Sequence, residues 1–358
     1  MSRPSLVPPF AVITGAQVAG VLTGNEKQVV ELTEEVYRLH GRGDSVNPPS
    51  YFLRFPDRPS SRIIALPASV GGDRPTDGLK WISSFPENVA AGIPRASAVL
   101  ILNDHATGYP FACLESSIIS ASRTAASAAL AADRLSRGER PRRIGFVGTG
   151  LIARYIHHYL EATGWTFDAL GVHDLSEQHA ESFADYLGGR PGDAPVVVHR
   201  TAEELIKESD LVVFATVAGS PHVHDPSWFA HHHPLVLNVS LRDLAPEILL
   251  SATNIVDDVE HCLKADTSPH LTEQLTGSRD FLDGTLFDVL EGRVELPADR
   301  TIVFSPFGLG VLDIALGRYV HDQLRDAGGL GVIDGFFHEL DRYGRNQATP
   351  PERNTVMK

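Results

Sequence analysis

An apolar run, Ile144-Gly145-Phe146-Val147, leads without a break into Gly148-Thr149-Gly150-Leu151-Ile152-Ala153. A strand that turns on such glycines into a helix is suited to a dinucleotide. Gly148 permits the tight turn, Gly150 lets a pyrophosphate approach backbone N–H groups at the positive helix end, and Ala153 lets the helix pack close to the sheet. Thr149, Leu151 and Ile152 complete the contact loop. Asp174 ends the next apolar run, 26 residues after Gly148, where a carboxylate binds ribose hydroxyls and repels a 2'-phosphate. The expected cofactor is therefore NAD rather than NADP, although an aspartate before Ser176 also suits the capping of a following helix.

A second set consists of charged residues in apolar settings. Lys80 lies between a glycine turn and the run Trp81-Ile82-Ser83-Ser84-Phe85, Arg54 and Arg62 occupy similar runs, and Arg123 interrupts the small-residue stretch ISASRTAASAALAA. An unpaired cation in such surroundings is costly, so it either snorkels or meets an anion, and four together favour a carboxylate site. In open α/β sheets ligands sit beyond the carboxyl ends of the strands. Thr216, Ser240 and Ser305 stand at such ends and are expected at the cofactor. Asp243, just beyond, serves either as an acid or base or as a cap for the helix opening at Pro246-Glu247. No metal site is expected, because His231-His232-His233 cannot converge easily on one ion and the group Asp257, Asp258, Glu260, His261 and Cys262 has no spaced partner elsewhere.

The middle of the chain supplies the elements these residues need. Short apolar runs at 144–147, 169–173, 195–198, 211–216, 235–240 and 254–257 alternate with amphipathic stretches at 150–161, 176–186 and 202–208, the pattern of a parallel sheet with helices on both faces. Before it come two helical stretches, about 15–24 and 26–40, and β-rich runs YFLRF, RIIALPA, LKWISSF, SAVLILND and YPFACLE, which imply an antiparallel or mixed sheet. An Ala-rich helix over 117–135 leads to the basic linker 137–143. After a last strand at 301–305, a helix over 308–323 carries the chain back to the first unit. The expected class is α/β: a Rossmann-like doubly wound dinucleotide-binding domain, 137–307, plus a discontinuous α+β substrate-binding and dimerisation domain, 1–136 with 308–358. The polar end from Asn346 is expected to fray.

Composition sets limits on partners. The 358 residues carry 31 Lys and Arg against 45 Asp and Glu, a formal charge of -14, which repels nucleic acid and anionic membrane surfaces. An anionic substrate must then be met by a local cluster of cations. Two cysteines, Cys113 and Cys262, make no disulfide framework, and no basic stretch leads into an apolar run at the start, so a cytoplasmic protein is expected.

The ordered motifs LKWISSFPEN, TGYPFACLESSIISASRTAASA, GTG, LNVSLRD and VFSPFGLGVLD resemble those of the ornithine cyclodeaminase and mu-crystallin family over most of the chain. The resemblance implies that Lys80, in a segment with Pro86 and Asn88, sits at the substrate and that Arg123 binds its carboxylate. It further implies that Arg54 assists, with Arg62 the alternative, and that Asp243, following Asn238, is catalytic. A homodimer through the N-terminal sheet is also implied. Where ornithine cyclodeaminases carry Gly-Gly before the aspartate, this chain has Leu241-Arg242. Its phrases YFLRFP, RIIALPA, GLKWISSFPEN, PRASAVLILND and ISASRTAASA look most like the SbnB-type branch, the N-(2-amino-2-carboxyethyl)-glutamate dehydrogenases of siderophore and peptide-antibiotic biosynthesis. The reaction implied is NAD-dependent oxidation of the glutamyl Cα–N bond to an imine, then hydrolysis to 2,3-diaminopropionate and 2-oxoglutarate. Asp243 would act as general base and Lys80 would orient a carboxylate or polarise the water. Arg54, Arg62, Lys80, Arg123 and Arg242 would be the cations available to three carboxylates. The alternatives are a cyclodeaminase, an alanine dehydrogenase or a ketimine reductase of the same fold, or a non-catalytic binding protein like mu-crystallin.

Overall fold

The computed structural model describes residues 9–189, 192 and 194–338; the tail from Asn346 lies outside them. The first part of the chain gives β1 (Phe10–Ile13), α1 (Gly15–Leu22), α2 (Glu26–Gly41), β2 (Ser45–Val46), β3 (Tyr51–Phe55), β4 (Arg58–Val70), β5 (Thr76–Ser84), β6 (Ala96–Asp104), β7 (Pro110–Glu115) and α3 (Ser117–Leu135). Thr14 and Gln17 form a reciprocal capping box that starts α1, satisfying two of its free N–H groups. The strands form one sheet in the order β1-β7-β6-β5-β4-β2, with β3 also on β4. β1 runs parallel to β7, whereas the other strand pairs named so far are antiparallel, so the sheet is mixed.

The second part is a regular alternation. It comprises β8 (Arg143–Val147), α4 (Leu151–Ala162), β9 (Ala169–His173), α5 (Glu177–Leu187), β10 (Val196–Val198), α6 (Ala202–Glu208), β11 (Leu211–Phe214), β12 (Leu235–Asn238), α7 (Pro246–Leu250), β13 (Thr253–Val256), α8 (Val259–Cys262), α9 (Ser268–Thr276), β14 (Leu282–Thr285), α10 (Leu286–Leu290) and β15 (Ile302–Ser305). Every strand pair here is parallel, in the order β10-β9-β8-β11-β12-β15-β13-β14. The order reverses between β8 and β11, which is where a crevice opens in doubly wound sheets. The chain then returns through α11 (Gly310–Asp326) to β16 (Gly331–Ile333), which pairs antiparallel with β1 and completes the first sheet.

The helices expected from sequence are present to within a few residues, and so are the longer strands. Four short strands, β1, β2, β14 and β16, were not expected. β14 reads Leu-Asp-Gly-Thr and has no apolar run to reveal it; its place on β13 is fixed by neighbours instead. Among the described residues no helix is long and apolar enough to cross a membrane, and no group of three metal-ligating side chains occurs.

α3 joins the two halves. Ala125, Ala126, Ala128, Ala129, Ala131 and Ala132 are all buried, and α3 packs against α2, α4 and α11. Small side chains allow that close approach on several sides at once. α11 lies across β4, β5 and β6. At Gly78 a Cβ would stand 2.4 Å from the Ile101 carbonyl and 2.6 Å from the Ile314 side chain, so this glycine sets how near α11 comes to β5. Gly78→Ala should lower stability by about 1–3 kcal/mol through overpacking, read as a drop in Tm, whereas Gly20→Ala, which meets nothing within 4 Å, should not.

Candidate active site

Side chains alternate between the faces of a strand, and the register of the first sheet sorts its cations. Arg54 pairs with Arg62, Arg62 with Ser84 and Leu66 with Lys80, which puts Arg54, Arg62, Ser84 and Lys80 on one face. α11 covers the Lys80 end of that face. There the Lys80 ammonium donates to Asp313 Oδ2 at 2.6 Å and to Ser120 Oγ at 3.2 Å, and Arg123 Nε donates to Asp313 Oδ1 at 3.3 Å. Three elements, β5, α3 and α11, thus meet on one carboxylate. Asp313 is fully buried and so is Lys80. Burial, together with the positive charge of Arg123, pulls Lys80 down to about 8 despite its contact with Asp313. Desolvation therefore outweighs the ion pair, by roughly 3 kcal/mol against the protonated amine.

Arg123 spends only its Nε on Asp313. Its terminal nitrogens pass Gly308, where a Cβ would stand 2.6 Å from Nη1. Gly308 has φ +94°, open to glycine at little cost, and its N–H donates to Asp257 Oδ2 at 2.7 Å while Phe307 N–H donates to Oδ1 at 2.9 Å. Asp257 is therefore a loop anchor; burial raises its carboxyl above the usual range.

At the open end of the same face the cations are not paired. Arg62 is half-buried, and burial plus the charges of Arg95, Arg242 and Arg54 lower its pKa. Arg95 donates to Ser84 Oγ at 2.9 Å and is likewise lowered by burial. Arg242 reaches over from the parallel-sheet half, giving Nη2 to the Ala265 carbonyl at 2.9 Å and leaving its buried Nε without a partner. Arg54 is exposed beside the Phe52 ring. Among the described residues none of the four has a carboxylate at ion-pair distance. Leu241, before Arg242, has φ +78°, an unfavourable conformation for a bulky side chain, held by a bond from Ser268 N–H to its carbonyl.

Asp243 does not cap α7, whose first residue follows Ala245 with no side-chain cap. It is fully buried beyond β12. Oδ1 accepts from Thr216 Oγ1 at 2.5 Å and from His222 Nε2 at 2.8 Å, while Oδ2 accepts from Ser240. Thr216 and Ser240, expected at the cofactor, thus bind the acid. Ser305 is buried and accepts from Asn238 Nδ2 at 3.2 Å.

The glycine turn fits a dinucleotide. Gly148 has φ +87°, and a Cβ there would lie 2.8 Å from the Ala215 carbonyl. Beside it, a Cβ on Gly150 would meet nothing within 4 Å, and no side chain caps α4. Its first-turn N–H groups are left for an anion. Asp174 Oδ2 accepts from the Thr149 N–H and hydroxyl at 3.0 and 2.8 Å, and Oδ1 accepts from Ser176 N–H at 2.9 Å. The carboxylate ties the loop to the end of β9, while Ser176 caps α5. Leu151 and Ile152 open α4.

The sequence reading missed Asp313, His222 and Arg95. Asp313 stands in the quoted VFSPFGLGVLD and was readable there as an acid in an apolar helix face; no local signal marks the other two.

A doubly wound parallel sheet with an uncapped glycine turn at its switch point, joined to a mixed sheet with cations on one face, defines a dinucleotide-binding fold with an anion-receptive crevice. The pattern of the ornithine cyclodeaminase/mu-crystallin family matches residues 12–328. The chain is 28% identical over 312 residues to an N-((2S)-2-amino-2-carboxyethyl)-L-glutamate dehydrogenase of Staphylococcus aureus, covering 84% of this chain and 91% of that one. Among solved structures it is similar to CmnK, with 30% identity, a TM-score of 0.81 and coverage of 92% and 99%. It is also similar to an archaeal alanine dehydrogenase dimer with bound NAD, with 25% identity, a TM-score of 0.81 and coverage of 91% and 99%. The chain belongs to the ornithine cyclodeaminase/mu-crystallin family.

Asp313→Asn removes the one opposite charge that supports the Lys80 ammonium. The Lys80 titration, followed by NMR of ¹³Cε-labelled lysine against a Lys80→Met control, should move from about 8 to lower pH by about one unit or more.

Proposed function

We propose that the protein catalyses NAD-dependent oxidative hydrolysis of N-(2-amino-2-carboxyethyl)-L-glutamate to L-2,3-diaminopropionate and 2-oxoglutarate, in the making of a siderophore or peptide natural product. The observation that carries this reading is the set Arg54, Arg62, Arg95 and Arg242, gathered at the crevice and, among the described residues, without acid partners. A substrate with one carboxylate needs only the inner pair, Lys80 and Arg123, whose joint charge Asp313 cuts to about +1. Two further carboxylates give the outer arginines charge-assisted partners. The similarity to the staphylococcal dehydrogenase supports the same substrate.

NAD, held at the Gly148–Gly150 turn and by Asp174, would supply the hydride acceptor for the glutamyl Cα. The protein's part is to hold and protonate. Arg123 offers its terminal nitrogens to the carboxylate on the reacting carbon. Lys80, brought down to about 8 by burial and the charge of Arg123, donates a hydrogen bond to that carboxylate or orients the attacking water. Asp243 serves proton exchange at the carbon–nitrogen bond through the groups hydrogen-bonded to it at the edge of the parallel sheet. Arg62 and Arg242 take the remaining carboxylates, with Arg54 at the exposed rim. Residues 137–307 form the dinucleotide unit and 1–136 with 308–358 the substrate unit. The other face of the mixed sheet exposes Val12, Tyr51, Leu53, Trp81 and Val99, an apolar surface suited to a homodimer.

Incubation with NAD and the tricarboxylate should yield diaminopropionate, 2-oxoglutarate and NADH in equal amounts. Proline and ammonia from ornithine, or no NADH from the tricarboxylate, would move the assignment to a cyclodeaminase or a binding protein. Arg242→Gly should raise KM for the tricarboxylate by roughly tenfold or more, a charge-assisted bond being worth about 1.5–3 kcal/mol, and leave NAD affinity unchanged. Asp174→Ser, by removing the carboxylate that faces a 2'-phosphate, should narrow the preference for NAD over NADP in a binding titration.

A further inference from the structure

Asp243 is the acid at the sheet edge, yet its carboxylate has no free face. It is 0% exposed, and both oxygens accept hydrogen bonds, from Thr216 and His222 on one and from Ser240 on the other. Any proton that reaches or leaves it must pass through one of these three. The two hydroxyls are very weak acids and weaker bases. His222 is the one partner that can donate from one ring nitrogen while accepting a proton on the other, and its side chain is 40% exposed.

The chain fixes this imidazole firmly. The N–H groups of His222 and Val223 both donate to the Asp243 carbonyl at 3.0 Å, Ala245 N–H donates to the Val223 carbonyl at 2.9 Å, and Val223 bridges Leu244 in parallel register. The ring lies edge-on to Phe214, with centroids 6.3 Å apart. An ionised Asp243 requires the proton on Nε2, which leaves Nδ1 as the acceptor. Among the described residues Nδ1 has no hydrogen-bond partner.

We propose that His222, oriented by Asp243, is the general base of the hydrolytic step. The inference rests on the reaction proposed above. Hydride loss from the glutamyl Cα leaves a protonated imine. Water then forms a C–O bond to that carbon and gives a proton to His222 Nδ1, while the C=N π electrons return to nitrogen. The imidazolium, stabilised by Asp243, passes the proton to the amine nitrogen as the C–N bond breaks. The second hydroxyl proton is released to solvent as the carbonyl forms. The sum is substrate, NAD⁺ and water to diaminopropionate, 2-oxoglutarate, NADH and H⁺. A base so held acts after oxidation, so its loss separates the two half-reactions.

The test compares NADH formed in the first turnover with 2-oxoglutarate released at steady state, using the tricarboxylate and NAD. His222→Gln keeps an N–H donor for Asp243 but accepts no proton. It should retain the first-turnover NADH amplitude and lose about 10²-fold in 2-oxoglutarate release. His222→Ala should behave likewise and recover severalfold with added imidazole, which enters the space the exposed ring leaves. Wild-type 2-oxoglutarate release by His222→Gln, or equal loss of both readouts in His222→Ala without rescue by imidazole, overturns the proposal and leaves His222 as a structural partner of Asp243. Absence of NADH from the wild-type protein overturns the substrate reading and the hydrolytic role together.

Discussion

One buried carboxylate, Asp313, ties the Lys80 end of the mixed sheet to its helices. α11 brings it under β5 and beside α3, where it accepts from Lys80 and Arg123. Two cations and one anion buried together leave one net positive charge in a low-dielectric place. Such a group holds together only while all three members are present, since breaking a buried pair typically costs about 3–5 kcal/mol. The glycine at 78 and the alanines of α3 serve that meeting, because each lets backbone approach backbone closely enough for short side chains to converge.

The two buried acids of the crevice differ in kind. Asp313 faces cations and is neutralised by them. Asp243 faces two hydroxyls and an imidazole, so its charge is solvated by dipoles rather than cancelled. A negative charge held that way can stabilise a positive one that forms transiently next to it, which an aspartate already saturated by lysine and arginine cannot do. In the proposed reaction the surroundings divide the labour: one acid fixes the anion-binding groups, the other supports proton movement.

Overall charge and local charge have opposite signs here. A chain of formal charge -14 gathers Arg54, Arg62, Arg95 and Arg242 in one place, with no acid among the described residues at ion-pair distance from them. Burial and then the neighbouring positive charges lower Arg62, a standing cost that the polyanionic ligand proposed above would relieve. Leu241, in a backbone conformation that suits glycine, is the second local cost at the same place, and it sets the Arg242 side chain at the crevice.

The sequence by itself determined the doubly wound sheet, the glycine turn and the family, because these depend on local periodicity and on residues adjacent in the chain: an apolar run, Gly148 and Gly150, and Asp174 one strand later. It also marked Lys80 and Arg123 as cations out of keeping with their surroundings and Asp243 as an acid beyond a strand end. It did not determine their partners. Asp313 is 233 residues from Lys80, and only the return of α11 across β5 brings them together. His222 precedes Asp243 by 21 residues and reads as an ordinary loop histidine until the parallel bridge between Val223 and Leu244 sets it on the carboxylate. Arg95 joins the cluster through Ser84, which the hairpin of β5 and β6 places beside it. Thr216 and Ser240 were legible as strand-end residues but not as donors to Asp243, since a side chain's partner depends on how the ends of β11 and β12 lie against each other. Hydrogen bonds and ion pairs reach about 3 Å, and groups distant in the chain come that close only after the sheets and helices have packed.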